Sequence, residues 1–194
     1  MPEICTLKMP YCSKFNFIKH IPMTTIIETP RLILRRFTLE DALGVYEFGS
    51  NKEVQQYTGN KLLESPEEAR ELIENVFLKD YATYGYGRFA VIHKEDQKII
   101  GFAGLKYIPE MDITDIGFRF LPEYWNKGIA TEVSLEILAY GIKELQLKRI
   151  VGIAMPENGA SCKVLEKIGL QFFKIDEYDG DGGAYRWYEL LVNN

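Results

Sequence analysis

The sequence predicts an α+β fold, a mixed sheet of about seven strands flanked by helices, in the order β-α-α-β-β-β-α-β-α-β-β. Three observations predict it. Short β-prone runs alternate apolar and polar residues. Longer stretches after Thr38, Ser65 and Pro122 carry apolar residues at spacings of three and four. The 194 residues suit one domain, a length that buries roughly 70% of its unfolded surface.

Leu32 to Phe37 reads as the opening strand after Pro30. Thr38 before Leu39-Glu40-Asp41 is an N-cap with acids in the first turn, and Ala42, Val45, Tyr46 and Phe48 continue at helical spacing. Ser65-Pro66-Glu67-Glu68 starts a second helix, with proline at its first position and Leu72, Ile73, Val76 and Phe77 as its stripe. Gly87 to His93 and Lys98 to Leu105 form a hairpin across Lys94-Glu95-Asp96-Gln97, and Thr114 to Phe120 completes a meander. Ile129, Val133, Ile137 and Leu138 mark the longest helix, ending near Leu145. A strand at Arg149 to Ala154, a helix at Ala160 to Ile168 closed by Gly169, and a strand at Leu170 to Tyr178 follow. Gly180-Asp181-Gly182-Gly183 turns the chain into the last strand, Tyr185 to Leu191.

Composition excludes several functions. With 46% hydrophobic and 26% charged residues the chain is an ordinary globular protein. Its net charge of -5 speaks against nucleic acid as a partner and makes a cationic substrate the easier expectation. Cys5, Cys12 and Cys162 match neither a disulfide framework nor a metal spacing, and His20 and His93 are the only imidazoles, so no metal is expected and a cytoplasmic location is. Met1 to Pro22 lacks an apolar run long enough for a signal segment or a membrane span, and reads as an arm of unknown role before a domain over 23–194. No membrane partner is expected.

The chemistry concentrates in Leu121-Pro122-Glu123-Tyr124-Trp125-Asn126-Lys127-Gly128-Ile129-Ala130-Thr131-Glu132, which joins a strand to the long helix. Backbone N–H groups at a helix start have no internal partners and sit at the positive end of the dipole, a natural place for a diphosphate. Gly128 and Ala130 keep the approach open. Both the nucleotide P-loop pattern and the dinucleotide glycine pattern are missing. Read alone, the stretch is either a phosphate site or a plain loop.

It resembles the pyrophosphate loop of GNAT acetyltransferases, in the Tyr-Trp-x-Lys-Gly-x-Ala-Thr-Glu form of the RimJ/RimL-like branch. Glu28-Thr29-Pro30-Arg31-Leu32-Ile33-Leu34-Arg35, Ile116-Gly117-Phe118, Asn158-Gly159-Ala160-Ser161 and Leu165-Glu166-Lys167-Ile168-Gly169-Leu170 add to the likeness, which runs from about Thr24 to the C-terminus. The resemblance implies the GNAT fold, a twisted, mostly antiparallel mixed sheet whose fourth and fifth strands splay apart to hold the pantetheine arm of acetyl-CoA. It implies binding by Trp125, Asn126, Lys127, Gly128, Ile129, Ala130 and Thr131. It also gives the fourth-strand residues Ile116, Phe118 and Phe120 a main chain that pairs with pantetheine; their side chains read equally as core.

Asn-Gly at 158 reads by itself as a turn or a helix cap; the resemblance implies that Asn158 contacts the cofactor. Many GNAT enzymes place a Tyr acid seven residues after that Asn, and here Leu165 stands there. RimL-like proteins have a Ser three residues after it, so Ser161 is the candidate acid, with helix capping as the other reading. A base for the amine is expected among Asp176, Glu177, Asp179, Asp181, Glu64, Tyr57 and Tyr107, or a water chain. Glu132 reads as stabilising the helix start.

The expected reaction is direct attack of a primary amine on the thioester through a tetrahedral intermediate, without an acyl-enzyme. Cys162 has no histidine partner in the motif and reads as packed. The acceptor is expected to be a protein N-terminus or a small molecule such as a polyamine or aminoglycoside. The loops Tyr57 to Leu63, Tyr84 to Arg88 and Ile108 to Asp112 select it, in a monomer or homodimer. An acetyl-CoA-binding regulator without turnover and a plain interaction domain are the rival readings.

Overall fold

The computed structural model describes residues 25–178 and 182–192. The N-terminal arm and the base candidates Asp179 and Asp181 lie outside them.

The described residues open with a hairpin rather than one strand: β1 (Thr25–Glu28) pairs antiparallel with β2 (Leu32–Arg35). Among the described residues the sheet therefore has eight strands, in the order β1-β2-β3-β4-β5-β6-β8-β7, and the family's fourth strand is β5. Four residues with only Ile27 buried show no readable alternation. β2 also stops before Phe37, whose N–H already turns to the Tyr81 hydroxyl at 3.2 Å.

A 3₁₀ turn (Leu39–Asp41) leads into α1 (Ala42–Gly49). Asp41 accepts the Thr38 N–H at 2.8 Å and is gripped by both Arg35 terminal nitrogens at 2.7 Å, a buried bidentate pair that ties strand to helix. The four-residue α2 (Lys52–Gln55) is too short to show a period. Asn51 caps it, Oδ1 accepting the Glu53 and Val54 N–H groups. α3 (Pro66–Leu72), capped by Ser65, widens into a π turn (Ile73–Leu78), continues as α4 (Lys79–Tyr84), and stops at Gly85 with φ of 82°.

The meander consists of β3 (Arg88–His93), β4 (Lys98–Ile108) and β5 (Ile113–Phe120). The β3–β4 register shifts between Val91 and Ile92, and Gly101 beside it has φ of 151° with the Arg119 carbonyl 2.0 Å from where a Cβ would sit. Only glycine fits. The remainder follows the sequence reading: α5 (Ile129–Lys143), β6 (Arg149–Ala154), α6 (Gly159–Lys167), β7 (Gln171–Asp176) and β8 (Tyr185–Leu191). α5 ends two residues before the Leu145 expected.

Alternate side chains separate two faces. Leu105 and Ile150 meet Gly141 of α5, and Leu165 of α6 lies on Gly152, so α5 and α6 cover one face. Phe102 meets Phe48 of α1 and Phe77 of the π turn on the other. Among the described residues no helix is long and apolar enough to cross a membrane.

Candidate active site

β5 and β6 run parallel and pair in register at Asp115↔Val151. Past that point they part. On its other edge β5 stays paired with β4 as far as Gly101↔Phe120, so the main chain of Ile116, Gly117, Phe118 and Arg119 borders a wedge instead of a strand. Parallel pairing needs a crossover, here α5, and the site lies where the strands leave one another. Ile116 and Phe120 are buried and Phe118 half-buried, so their side chains are core while their backbone faces the opening.

The wide end of the wedge leads to the start of α5. The first α5 N–H with an acceptor in this turn is that of Glu132, bonded to the Gly128 carbonyl at 2.9 Å. This leaves the N–H groups of Ile129, Ala130 and Thr131 pointing out of the helix. Gly128 caps the helix with φ of 76°, and its Cβ position is open except for an Arg31 nitrogen at 3.8 Å. Asn126 is also left-handed, φ 58°. Trp125 anchors the loop by donating Nε1–H to the Phe120 carbonyl at 2.7 Å, and Lys127 lies over the Tyr124 ring.

Glu132 does more than favour the helix dipole. Its carboxylate accepts from the Thr29 hydroxyl and from Arg31 Nε, both at 2.6 Å, while Arg31 Nη1 donates to the Lys127 carbonyl at 2.9 Å. The β1–β2 turn thus braces the loop. Burial works against the Glu132 charge, but the Thr29 and Arg31 bonds outweigh it and hold the carboxyl below its ordinary range.

α6 begins at the opposite lip. Asn158 Oδ1 caps it by accepting the Ser161 N–H at 3.0 Å. The cap is therefore real, and it leaves the Asn158 amide nitrogen for other use. Ser161 is half-buried, whereas Leu165 is buried against Gly152. Cys162 is buried. Its neighbour is the Tyr188 hydroxyl, pushed up to about 12 by burial and by the Cys162 bond. Among the described residues His93 is the only imidazole, and it pairs with Asp96 instead.

A family model described as "Acetyltransferase (GNAT) domain" matches residues 31–171. The chain is a GNAT acetyltransferase. It is 34% identical over 150 residues to an uncharacterized N-acetyltransferase, YoaA, of Bacillus subtilis, covering 77% of this chain and 84% of that one. The crystal structure of a GNAT-family acetyltransferase from Bacillus anthracis superimposes with a TM-score of 0.70 at 31% identity, covering 85% of this chain and 97% of the other. RimL, the ribosomal L7/L12 alpha-N-protein acetyltransferase solved in complex with coenzyme A, shares the fold at a TM-score of 0.74 and 18% identity, with 87% and 98% covered.

As a GNAT enzyme the protein uses acetyl-CoA as acyl donor, and the wedge and the amides at the start of α5 suit its pantetheine and diphosphate. On the other face, this acetyltransferase carries a cluster that the sequence did not reveal. Arg88 lies across a floor made by the facing pair Gly104↔Gly117, where a Cβ on Gly117 would fall 2.5 Å from its guanidinium. It pairs with Asp115 at the apex of the wedge, both side chains largely buried at 12% and 14% exposure. Burial pushes the Asp115 carboxyl up, opposed by Arg88 and by the Ile153 N–H. An Asp in an alternating strand looks like an outward residue; only the pairing of β5 with β6 puts it at the apex.

The base candidates named from sequence fare less well. Asp176 is bonded to Lys174 and held below its ordinary range by that contact. The Tyr107 hydroxyl donates to Asp112 at 2.6 Å and is shifted upward. Glu64 is exposed and paired with Lys61, Glu177 accepts the Gly182 N–H, and Tyr57 is exposed. Beside the cluster a cleft of 390 Å³ opens between the π turn, α4 and the β4–β5 connection, lined by Asp80, Tyr84, Lys106 and Tyr178.

Proposed function

We propose that this GNAT enzyme, of the RimJ/RimL-like branch, moves the acetyl group of acetyl-CoA directly to a primary amine that approaches from the Arg88–Asp115 face. The observation that carries the reading is the alignment of the wedge beyond Asp115↔Val151 with the unpaired N–H groups of Ile129, Ala130 and Thr131. When bound, acetyl-CoA supplies an activated acyl group with a thiolate leaving group. Trp125, Asn126, Lys127, Gly128 and the α5 amides orient its diphosphate. The exposed main chain of Ile116, Phe118 and Phe120 pairs with pantetheine as an added strand, and Asn158 adds its free amide.

Ser161 lies at the start of α6 with its hydroxyl free of protein partners among the described residues, a position suited to donate a hydrogen bond to the departing thiolate. Asp115 accepts the proton that the attacking amine must lose, because a carboxyl raised by burial is a better base than an exposed one. Calorimetry with acetyl-CoA and thiol release with an amine panel test this. Ser161→Ala should retain affinity and lose about 10-fold or more in kcat. Absence of acetyl-CoA binding at millimolar concentration would sink the proposal.

A further inference from the structure

We propose that the acceptor amine also carries a carboxylate, which Arg119 receives, so that the substrate is an amino acid or a similar small amino carboxylate. This rests on the active-site reading above and narrows it.

Arg119 shares the face of β5 with Asp115 and Gly117. Arg88 is matched by Asp115, and Lys106 stands beside Asp80 and Asp115. Arg119 forms no ion pair among the described residues. Its bond is a neutral one, Nη1 donating to Gln55 Oε1 at 2.8 Å, with the guanidinium 5.1 Å from the centre of the Phe102 ring. The same ring carries Arg88 at 5.9 Å. Burial, and then Arg88, push Arg119 down to about 10. A cation held this dry without a counter-charge is costly unless something outside the protein supplies one.

The support beneath it is built. Gln55 is buried, donating Nε2–H to the Phe48 and Gly49 carbonyls while its Oε1 also accepts from Thr58. These four contacts fix the amide and with it the guanidinium. Arg119 is largely but not fully buried, and Nη1 alone carries a hydrogen bond among the described residues, so a second acceptor can meet the guanidinium. Guanidinium is the side chain best shaped for a carboxylate. With the carboxylate on Arg119, the amine end of a small acceptor points along β5 toward the Arg88–Asp115 pair. The acidic chain thus presents a positive spot to its acceptor, opposite to the cationic substrate that net charge alone suggests.

The test compares amino acids with the amines left by removing their carboxylate, such as lysine with cadaverine and β-alanine with ethylamine. Thiol release gives kcat/KM, and calorimetry on the acetyl-CoA-saturated protein gives affinity without turnover. The amino acid should be favoured about 10-fold or more in both readouts. Arg119→Gln should bring the ratio near one without changing the acetyl-CoA KM or lowering the melting temperature, and Arg119→Lys should restore part of it. Equal use of the decarboxylated amines overturns the proposal, as does a rise in acetyl-CoA KM alone in Arg119→Gln, which would assign the guanidinium to the cofactor. Failure to bind acetyl-CoA in any variant refutes the active-site reading itself; acetyl-CoA binding without amino-acid binding refutes this one only.

Discussion

Glu132 joins three segments that are far apart in sequence: the β1–β2 turn through Thr29 and Arg31, the loop through the Arg31 bond to Lys127, and α5 on which it stands. Arg31 is 41% exposed, so solvent screens the pair and its net contribution to stability is about 1 kcal/mol. The larger effect is on the shape of the loop. Glu132→Gln should raise the acetyl-CoA KM several-fold while shifting the melting temperature little, as measured by initial rates and a thermal scan. The pH dependence has a definite sign. A carboxyl depressed in the folded state contributes stability that is present above its unfolded pKa, about 4.3, and is lost as pH falls through the folded value. The acid limb of the melting curve should therefore be shallower in Glu132→Gln.

At the scale of elements, the start of α5 separates backbone geometry from charge. Gly128 is left-handed with open space around its Cβ position, so Gly128→Ala should fold, at a cost of about 1 kcal/mol for the strained φ. Its acetyl-CoA affinity should fall only modestly. Gly128→Glu has the same strain but adds an anion at the positive end of the helix, and should lose affinity by about 10-fold or more. Calorimetry distinguishes the two; equal affinities would remove the diphosphate from this loop. The π turn at Ile73–Leu78 is a second irregular element. It leads directly into Asp80, whose Oδ2 is buried without a partner and whose carboxyl burial pushes up. π turns inside helices often accompany functional sites, and this one borders the cleft beside the Arg88–Asp115 pair.

For the whole molecule, the decisive event is one crossover. α5 carries the chain from β5 to a parallel neighbour, β6, while every other pairing among the described strands is antiparallel. That single junction opens the wedge and sets the largely buried Asp115 at its apex. The consequence is kinetic. Because burial raises the Asp115 carboxyl, kcat/KM should rise with pH across a range above that of an exposed aspartate, and Asp115→Asn should lose that limb and most of its turnover while still binding acetyl-CoA. A pH–rate profile at saturating acetyl-CoA measures this; an unchanged profile in Asp115→Asn would remove it as the base.

The long elements, and a candidate donor loop, are legible in the residues alone. α5, the β3–β4–β5 meander and the caps at Ser65 and Asn158 follow from period, proline placement and local hydrogen bonding, which operate within a few residues. The Trp125 to Thr131 stretch could be marked as a candidate phosphate loop because the features that suit an anion at a helix start are themselves local. The proposed acceptor face emerges only once the strands are paired. β1 and α2 are too short for a period, and Asp115, Arg88, Arg119 and Gln55 are unremarkable in their own segments. They become one cluster because strand register and the parting of β5 from β6 bring them together, and register is set by pairings between residues distant in sequence.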